Sequence, residues 1–226
     1  MLREIHDKDG IFAHILHVWG GDREVSLQHY FAGGAKCAAK LEDIARAFLD
    51  KPAGASTLLE FASGSGRVTR HLVGRWKSIT ASDIQPSAVE FLKGALPVDA
   101  YLSSVIPEEL AIPDRFDVVF ALSFFSHMPE TSFARWIAVL SKFVAPGGLF
   151  IFTTHSPTSI PYLVKLGYSP RADDFWFEPR PSPEYGQTIV SHRYVENLRP
   201  PAMREVAFRP AYWWTHQDTY IWKRAA

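Results

Sequence analysis

Short apolar runs alternate with helix-like segments through the middle of this chain. The runs have the length and polarity of buried strands in a parallel sheet, and the segments between them repeat apolar residues every three or four positions. Strand candidates occupy residues 57–62, 78–82, 98–102, 116–122 and 149–154, and helix candidates occupy residues 66–75, 86–96 and 131–144. This alternation predicts an α/β fold with a doubly wound, mostly parallel sheet.

The segment before this region is helical in pattern. Residues 25–50 carry apolar side chains at helical spacing, and Gly33 and Gly34 interrupt the pattern, so that one long helix and two shorter ones are both open. We interpret residues 1–54 as an N-terminal helical cap and residues 55–226 as the α/β domain.

The α/β domain divides further. Its core is predicted at residues 55–155, and residues 156–226 hold a C-terminal insertion and closing strands. Proline, aromatic and charged residues at 168–186 indicate an irregular insertion. Residues 204–208 and 218–222 are candidates for an antiparallel closing pair, so that the sheet would end in an antiparallel strand.

Composition narrows the class of function. The chain of 226 residues has 24 Lys+Arg against 24 Asp+Glu, without the basic excess that nucleic-acid binding favours. The single cysteine, Cys37, cannot form an internal disulfide, and a cytoplasmic protein is expected. Because no apolar stretch of about 18 residues occurs, no membrane partner is expected. The oligomeric state stays open.

The most informative segment, at residues 59–68, reads LEFASGSGRV. An acid, Glu60, lies at the end of a predicted strand, and small residues lead into a helix. Glycine lets a backbone approach a ligand closely, and a helix N-terminus offers free N–H groups to an anion. Asp83 follows the next predicted strand, where an acid typically accepts hydrogen bonds from ribose hydroxyls. The combination predicts a nucleoside-cofactor site, whereas the turn alone could be glycine-rich for steric reasons.

Other nucleotide motifs fit less well. The dinucleotide fingerprint G-x-G-x-x-G fails, since Thr69 stands where its last glycine would be and Ala62 replaces an earlier one. The Gly-Lys-Ser/Thr tripeptide of a phosphate-binding loop is absent, and no tyrosine has a lysine four residues later. Glu60 instead suits the positive amino group of an amino-acid-bearing nucleoside.

These motifs resemble class I S-adenosylmethionine-dependent methyltransferases, over about 100 residues. Residues 60–66 resemble the family's first motif and Asp83 its ribose-binding acid. Residues 116–120 resemble its fourth strand, residues 123–129 the loop bordering its active site, and residues 145–148 a common helix-ending turn. The resemblance implies a Rossmann-like fold and S-adenosyl-L-methionine as cofactor. Two departures are Ala62 in place of the first glycine, and Ser104 near the position where many members carry an adenine-binding acid.

The resemblance also implies site residues. The turn would face the methionine end of the cofactor, Ile84 would pack on adenine or ribose, and Ser123 or Phe124 would line the reacting side. Tyr30 and Lys36 lie on helices that often cover this cofactor. The cofactor-binding set is therefore Tyr30, Glu60, Ala62, Ser63, Gly64, Gly66, Asp83, Ile84, Ser104, Ser123 and Phe124.

A hydroxyl acceptor would need a base. His127 and His155 follow predicted strands at the edge where open parallel sheets bind ligands, and they are the catalytic candidates. His216 is a third histidine nearby in the pattern, and a purely structural role stays open for each. His14 and His17 share a helical face without a third ligand, so no metal is assigned.

The tail carries a weaker resemblance. Residues 186–194 and 216–221 resemble bacterial methyltransferases associated with cell-surface polysaccharide assembly, and Trp176, Trp213 and Trp214 would suit sugar rings, a hydrophobic product, a dimer interface or core packing. The predicted function is methyl transfer from S-adenosylmethionine to a small-molecule acceptor, at an oxygen of a sugar or natural product. The alternatives are an inactive cofactor-binding module and a nicotinamide-dependent oxidoreductase.

Overall fold

The computed structural model describes residues 3–226, which divide into two compact units. The first unit is the part of the chain up to Val105 together with Ala111–Pro113, and the second is Ile106–Leu110 with Asp114–Ala226. Within the described part of the chain, no helix is both long and apolar enough to cross a membrane.

The first unit contains two N-terminal helices and three strands with their connecting helices. Its strands lie in the order β3-β2-β1, and both pairs are parallel. Its elements are α1 Gly10–Val18, α2 Arg23–Phe48, β1 Thr57–Phe61, α3 Thr69–Leu72, β2 Ser78–Asp83, α4 Pro86–Ala95 and β3 Asp99–Leu102.

Helix α2 is continuous through its two glycines. A Cβ atom added to Gly34 would collide with the backbone oxygen of Arg67, and one added to Gly33 would collide with the Arg67 guanidinium. The two glycines therefore serve a close approach of Arg67 to the helix. In the sequence, the two glycines suggest a helix break, because glycine is common both at helix ends and where another part of the chain approaches the backbone closely.

The second unit contains four strands in the order β4-β5-β9-β8 and a separate two-stranded ribbon, β6-β7. Strand β5 runs parallel to β4 and antiparallel to β9, and β9 is antiparallel to β8. Its elements are β4 Phe116–Ala121, α5 Glu130–Lys142, β5 Val144–His155, α6 Ile160–Lys165, β6 Phe175–Ser182, β7 Tyr185–Val190, α7 His192–Asn197, β8 Met203–Trp213 and β9 Gln217–Arg224.

All five predicted strands of the alternating region are present, and the antiparallel closing pair is confirmed as β8 and β9. The expectation of an irregular insertion at residues 168–186 is wrong, because most of it forms the β6-β7 ribbon. Pro179 and Pro181 interrupt the alternating sequence pattern of a strand, so no strand is predicted there. Proline is tolerated at sheet edges, and a two-stranded ribbon consists of edges alone. The predicted division at residue 54 stays a prediction.

Each unit has its own core. In the first, Ala81 and Ala100 of neighbouring strands pack with Val89, Leu92 and Leu96 of the α4 region. In the second, aromatic rings dominate: Phe152 stacks on Tyr220 of β9 with ring centroids 4.9 Å apart. Trp213 and Trp222 of the closing strands are also buried in this core.

Candidate active site

The turn after β1, residues 60–66, is here called the cofactor turn. Three of its residues have the left-handed backbone conformation: Ala62 at φ 56°, Gly64 at φ 55° and Gly66 at φ 76°. Side chains with a Cβ atom adopt this conformation at a cost of about 1 kcal/mol or more. The preference for glycine at position 62 in related motifs is therefore conformational, and alanine accepts the strain.

Two glycines of the cofactor turn are required for different reasons. A Cβ atom on Gly66 would lie 2.7 Å from Leu92 Cδ2, so this glycine allows the turn to pack on α4. A Cβ atom on Gly64 would meet no protein atom within 4 Å. Gly64 therefore borders open space, as expected for backbone that a ligand approaches.

Glu60 and Asp83 lie on neighbouring strands, as the sequence predicts. Strands β1 and β2 pair in parallel, with Phe61 opposite Ser82, so the two acids are close to the same carboxyl edge. The Gly64 N–H donates to Asp83 Oδ2 at 2.8 Å and the Gln85 N–H donates to Oδ1 at 3.0 Å. Asp83 thus fixes the cofactor turn against β2, and each oxygen retains a lone pair.

Ser63 holds the same connection. Its N–H donates to the carbonyl oxygen of Ser82 at 3.1 Å, and the Ser103 N–H donates to the carbonyl oxygen of Asp83 at 2.8 Å. Ser104 follows in a partly buried position, and Ile84 is 48% exposed at the same edge.

Glu60 is buried, and its environment opposes ionisation. The pKa of Glu60 is raised to about 7, mainly by burial; the hydrogen bond from Thr69 lowers it and the charge of Asp83 raises it. The Thr69 hydroxyl donates to Glu60 Oε2 at 2.7 Å. Near neutral pH, Glu60 is therefore balanced between its two forms, and a nearby cation would shift it to the carboxylate.

Two arginines that the sequence reasoning missed brace the cofactor turn. Arg70 donates from Nε to the Gly66 carbonyl at 2.8 Å and from Nη2 to the Ser65 carbonyl at 3.0 Å. Arg67 donates from Nε to the Tyr30 carbonyl at 3.2 Å. The sequence signal that could have identified them is their position directly after the turn, three residues apart, which places both side chains on the same side of a helix.

Tyr30 lies beneath both arginines. Their guanidinium carbons are 5.6 Å and 5.5 Å from its ring centroid. Its hydroxyl is buried and donates to Asp9 Oδ2 at 2.6 Å, and burial raises its pKa. The other oxygen of Asp9 accepts from the Phe12 N–H at 2.9 Å, which caps α1. Lys36 is exposed on α2.

In the second unit, the loop after β4 contains another left-handed residue, Ser123, at φ 57°. Its N–H donates to Thr153 Oγ1 at 2.8 Å, and its hydroxyl donates to Gln217 Oε1 at 2.9 Å. Phe124 follows and packs edge-on against Phe125 and Trp136. This loop is therefore anchored to β5 and β9 by polar contacts and to α5 by aromatic ones.

The structure brings together the three histidines that the sequence singled out. We call His127, His155 and His216 the histidine cluster. The ring centroid of His155 is 6.2 Å from that of His127 and 5.5 Å from that of His216. Tyr185 stacks on His127 and Tyr162 stacks on His216.

The histidine cluster is kept uncharged. His155 is only 2% exposed, and burial lowers its pKa to about 3, with further lowering by the charges that His127 and His216 would carry. Burial also lowers the pKa of His127 and of His216. Neutral imidazoles can accept a proton or donate a hydrogen bond, so the cluster is suited to acid–base chemistry.

The sequence of the first unit and the start of the second matches a known family. Residues 58–148 match the family model described as "Methyltransferase domain". This segment carries the sequence signature of a methyltransferase domain, in agreement with the class I S-adenosylmethionine-dependent family that the sequence motifs resemble. With this assignment, the predicted methyl donor is confirmed, and the nicotinamide-dependent alternative is set aside.

Solved structures show the same fold. An S-adenosylmethionine-dependent methyltransferase from Clostridium acetobutylicum ATCC 824 is 15% identical, with a TM-score of 0.65, covering 95% of this chain and 98% of that chain. The N-methyltransferase NodS from Bradyrhizobium japonicum WM9, in complex with S-adenosyl-l-homocysteine, is 14% identical, with a TM-score of 0.57 and coverage of 84% and 87%. These likenesses confirm the predicted Rossmann-like fold. No curated protein matches the chain by sequence.

A third solved structure is CalS10 from Micromonospora echinaspora, an amino pentose methyltransferase with bound S-adenosylmethionine. It is 13% identical, with a TM-score of 0.59, and the match covers 87% of this chain and 92% of that chain. At this identity the likeness extends to the fold and no further.

One group of possible metal ligands occurs among residues 3–226 of the methyltransferase. His192, Glu196 and Glu205 bring ligand atoms within 4.8 Å of one another. Ordinary side-chain contacts occupy them: His192 Nε2 and Glu205 Oε2 are 3.1 Å apart, and Glu196 accepts hydrogen bonds from Trp222 and Arg199. We assign no metal to this group.

Proposed function

We propose that the methyltransferase transfers the methyl group of S-adenosylmethionine to a hydroxyl oxygen of an uncharged small molecule, such as a sugar or a phenolic natural product. The observation that carries the proposal is the histidine cluster. Its rings neighbour one another and two tyrosines, and their pKa values are lowered, so it offers neutral proton acceptors in aromatic surroundings.

The residues of the first unit fit the donor. Gly64 borders open space, so backbone is available to a ligand there. Asp83 retains a lone pair on each oxygen, suited to ribose hydroxyls, and Glu60 would ionise beside the ammonium of the methionine portion. Bound S-adenosylmethionine supplies an activated methyl group on a sulfonium. Ala62, Ser63, Gly66, Ile84 and Ser104 shape the same surroundings, and Tyr30 supports them through Arg67 and Arg70.

The residues of the second unit fit the acceptor. A hydroxyl oxygen becomes a better nucleophile as its proton leaves, so a neutral imidazole nearby assists the reaction. His127 and His155 are the groups we assign to this step, and Ser123 and Phe124 line the reacting side. The ring faces of Tyr162 and Tyr185 offer stacking surfaces for a sugar or phenol ring.

Binding of S-adenosylhomocysteine tests the donor half. Gly64→Ala should weaken binding at least tenfold in isothermal titration, because the added methyl group projects into open space that the ligand would occupy. Gly74→Ala is the matched control: Gly74 also has a positive φ, 76°, and a Cβ there also meets nothing within 4 Å. Equal loss of affinity in both variants would reject the proposed donor site.

Turnover tests the acceptor half. Release of S-adenosylhomocysteine should be stimulated by some members of a panel of nucleotide sugars, free sugars and phenols, and His127→Phe should abolish the stimulation. A matched panel of primary and secondary amines distinguishes nitrogen acceptors, and stimulation by amines alone would contradict the proposal. Tight binding of S-adenosylhomocysteine without turnover on either panel would favour an inactive cofactor-binding module.

A further inference from the structure

Gln217, the first residue of β9, connects the loop after β4 with the histidine cluster. Its Oε1 atom lies 2.9 Å from the Ser123 hydroxyl and 2.8 Å from the Thr153 hydroxyl. Its Nε2 atom lies 3.3 Å from Nε2 of His155. No role for this glutamine follows from sequence patterns. Its contacts determine which nitrogen of His155 carries the proton.

The orientation of the Gln217 amide follows from a backbone group. The Ser123 N–H can only donate, so Thr153 Oγ1 is the acceptor of that 2.8 Å hydrogen bond. The hydrogen of the buried Thr153 hydroxyl then needs an acceptor of its own, and Gln217 Oε1 supplies it. A flipped amide would present a second donor to Thr153 and leave that hydrogen unpaired. The Nε2 group of Gln217 therefore faces His155.

The proton of His155 must then lie on Nδ1. The Gln217 amide donates to His155 Nε2, so this nitrogen holds a lone pair, and a neutral imidazole carries its single hydrogen on the other nitrogen. His155 Nδ1 is buried and has no hydrogen-bond partner among residues 3–226. A buried unpaired N–H is uncommon and energetically unfavourable, and it is satisfied when a ligand brings an acceptor atom to it.

His127 and His216 present the opposite group. His127 Nδ1 lies 3.0 Å from the Gly186 carbonyl oxygen and His216 Nδ1 lies 2.7 Å from the Trp214 carbonyl oxygen. A carbonyl only accepts, so in both neutral rings Nδ1 carries the proton and Nε2 carries the lone pair. All three rings carry the proton on Nδ1. In His155 the Nδ1–H group is left to donate a hydrogen bond, whereas in His127 and His216 the Nε2 lone pair is left to accept one.

We propose that His155 is a hydrogen-bond donor to the substrate oxygen, that His127 is the base which removes its proton, and that Gln217 is a positioning residue which sets the His155 tautomer. This assignment of separate roles to His155 and His127 makes the proposed function more specific, and it rests on that function. It revises the role of His155, for which base catalysis was the prediction. The ring centroids of His127 and His155 are 6.2 Å apart, so the two rings are neighbours that one substrate oxygen would have to approach together.

The proposed division selects the substrate class. One substrate oxygen must accept a hydrogen bond from His155 and donate a hydrogen bond to His127. A neutral hydroxyl can do both, whereas an ammonium has no lone pair and can only donate. As the new C–O bond forms, the C–S bond breaks with its electron pair on sulfur, and the hydroxyl proton moves to His127 Nε2. His155 keeps its proton throughout, and His127 later releases its extra proton to solvent.

Long-range ¹H–¹⁵N correlation spectra of the 226-residue chain test this assignment without any methyl acceptor present. At pH 7, His155 should carry its proton on Nδ1, as should His127. Gln217→Glu replaces the amide donor with a carboxylate that only accepts, and should move the His155 proton to Nε2 while leaving His127 unchanged. Gln28→Glu makes the same change at an exposed position of α2 and should alter neither ring.

The outcomes separate the two proposals. A wild-type His155 proton on Nε2, or an unchanged His155 tautomer in a folded Gln217→Glu variant, would overturn the inference. A wild-type His127 proton on Nε2 would overturn the base assignment. Thermal denaturation confirms that the variant is folded, and His155→Gln, which leaves Gln217 in place, should still show the His127 proton on Nδ1. The proposed function fails separately, if S-adenosylhomocysteine does not bind.

Discussion

The cofactor turn and the histidine cluster use buried titratable groups in opposite ways. In the first unit, burial raises the pKa of Glu60 to about 7, and in the second it lowers the pKa of His155 to about 3. The physical cause is the same, because burial disfavours whichever form is charged. Burial therefore raises the pKa of an acid and lowers the pKa of a base. The comparison teaches that the proposed donor region, around the cofactor turn, can become charged near neutral pH, while the proposed acceptor region, around the histidine cluster, stays neutral.

The two regions also differ in what satisfies their polar atoms. Around the cofactor turn, Asp83, Arg67 and Arg70 are paired mainly with backbone groups, so charges hold a loop in shape. Around the histidine cluster, Gln217 and neighbouring hydroxyls hold side chains in orientation. Donor binding should consequently respond most to loss of charge, and acceptor chemistry to loss of hydrogen-bond direction.

The largest effect is expected from removing the fixed charge of the cofactor turn. Asp83→Ala removes the acceptor of the Gly64 and Gln85 N–H groups. A buried donor left unpaired costs about 1–3 kcal/mol, and this cost applies most to the partly buried Gly64. Calorimetry should show affinity for S-adenosylhomocysteine falling by roughly 100-fold, about 2.7 kcal/mol. Asp99→Ala, at the exposed first residue of β3, is the control and should bind normally. Unchanged binding by Asp83→Ala would remove the main contrast between the regions.

A second prediction concerns stability at alkaline pH. Since folding raises the pKa of Glu60 from 4.5 to about 7, the folded state holds a proton more tightly. The contribution of protonated Glu60 to the free energy of unfolding is complete below pH 4.5 and is lost as the pH rises through 7. Between pH 5 and pH 8 the loss of unfolding free energy is roughly 2 to 3 kcal/mol. Urea denaturation should show Glu60→Gln to be less sensitive over this range than the wild type, and parallel pH profiles would argue against a protonated Glu60.

A third prediction concerns acid and has the opposite sign. Folding lowers the pKa of His155 from 6.5 to about 3, so the unfolded chain takes up the proton first and stability falls as pH falls below 6.5. Between pH 7 and pH 5 the loss is about 2 kcal/mol. His155→Gln should reduce the dependence of the urea midpoint on acid, whereas His29→Gln, at an exposed histidine on α2, should not. Similar curves for all three proteins would contradict the neutral cluster.

The smallest effect is expected at the strained alanine. Ala62→Gly relieves a left-handed conformation that costs about 1 kcal/mol or more, partly offset by the greater freedom of glycine in the unfolded chain. A gain of about 0.5 kcal/mol in unfolding free energy is expected. Ala39→Gly, at an exposed position inside α2, should instead lose about 1 kcal/mol. A loss at both positions would show that the turn is not strained.

Much of the first unit could be predicted because its signals are local. Glu60, the small residues and the next strand follow one another along the chain, and parallel pairing of β1 and β2 then fixes where Asp83 lies. The contacts that sequence reasoning missed join distant residues. Ser123 and Gln217 are 94 positions apart, and Arg67 and Tyr30 are 37 apart. No periodicity reports such pairs, because they depend on how elements pack.

The histidines illustrate the same limit. Their positions after predicted strands identified His127 and His155 as candidates, yet their individual roles depend on a glutamine and two carbonyl oxygens whose placement no spacing reveals. Histidine chemistry is set by the partner of each ring nitrogen. Sequence could therefore name these histidines as candidates, whereas the proposed roles of hydrogen-bond donor and acceptor required hydrogen-bond geometry.

The two oxygens of Asp9 have a consequence for how the donor region unfolds. One oxygen caps α1 and the other holds Tyr30, on whose ring Arg67 and Arg70 rest. A single carboxylate thereby makes the N-terminal helix and the donor loop parts of one cooperative opening unit. Trimming the chain past Asp9, or fusing a bulky partner close to it, is therefore expected to disturb the cofactor turn although no residue of that turn is changed.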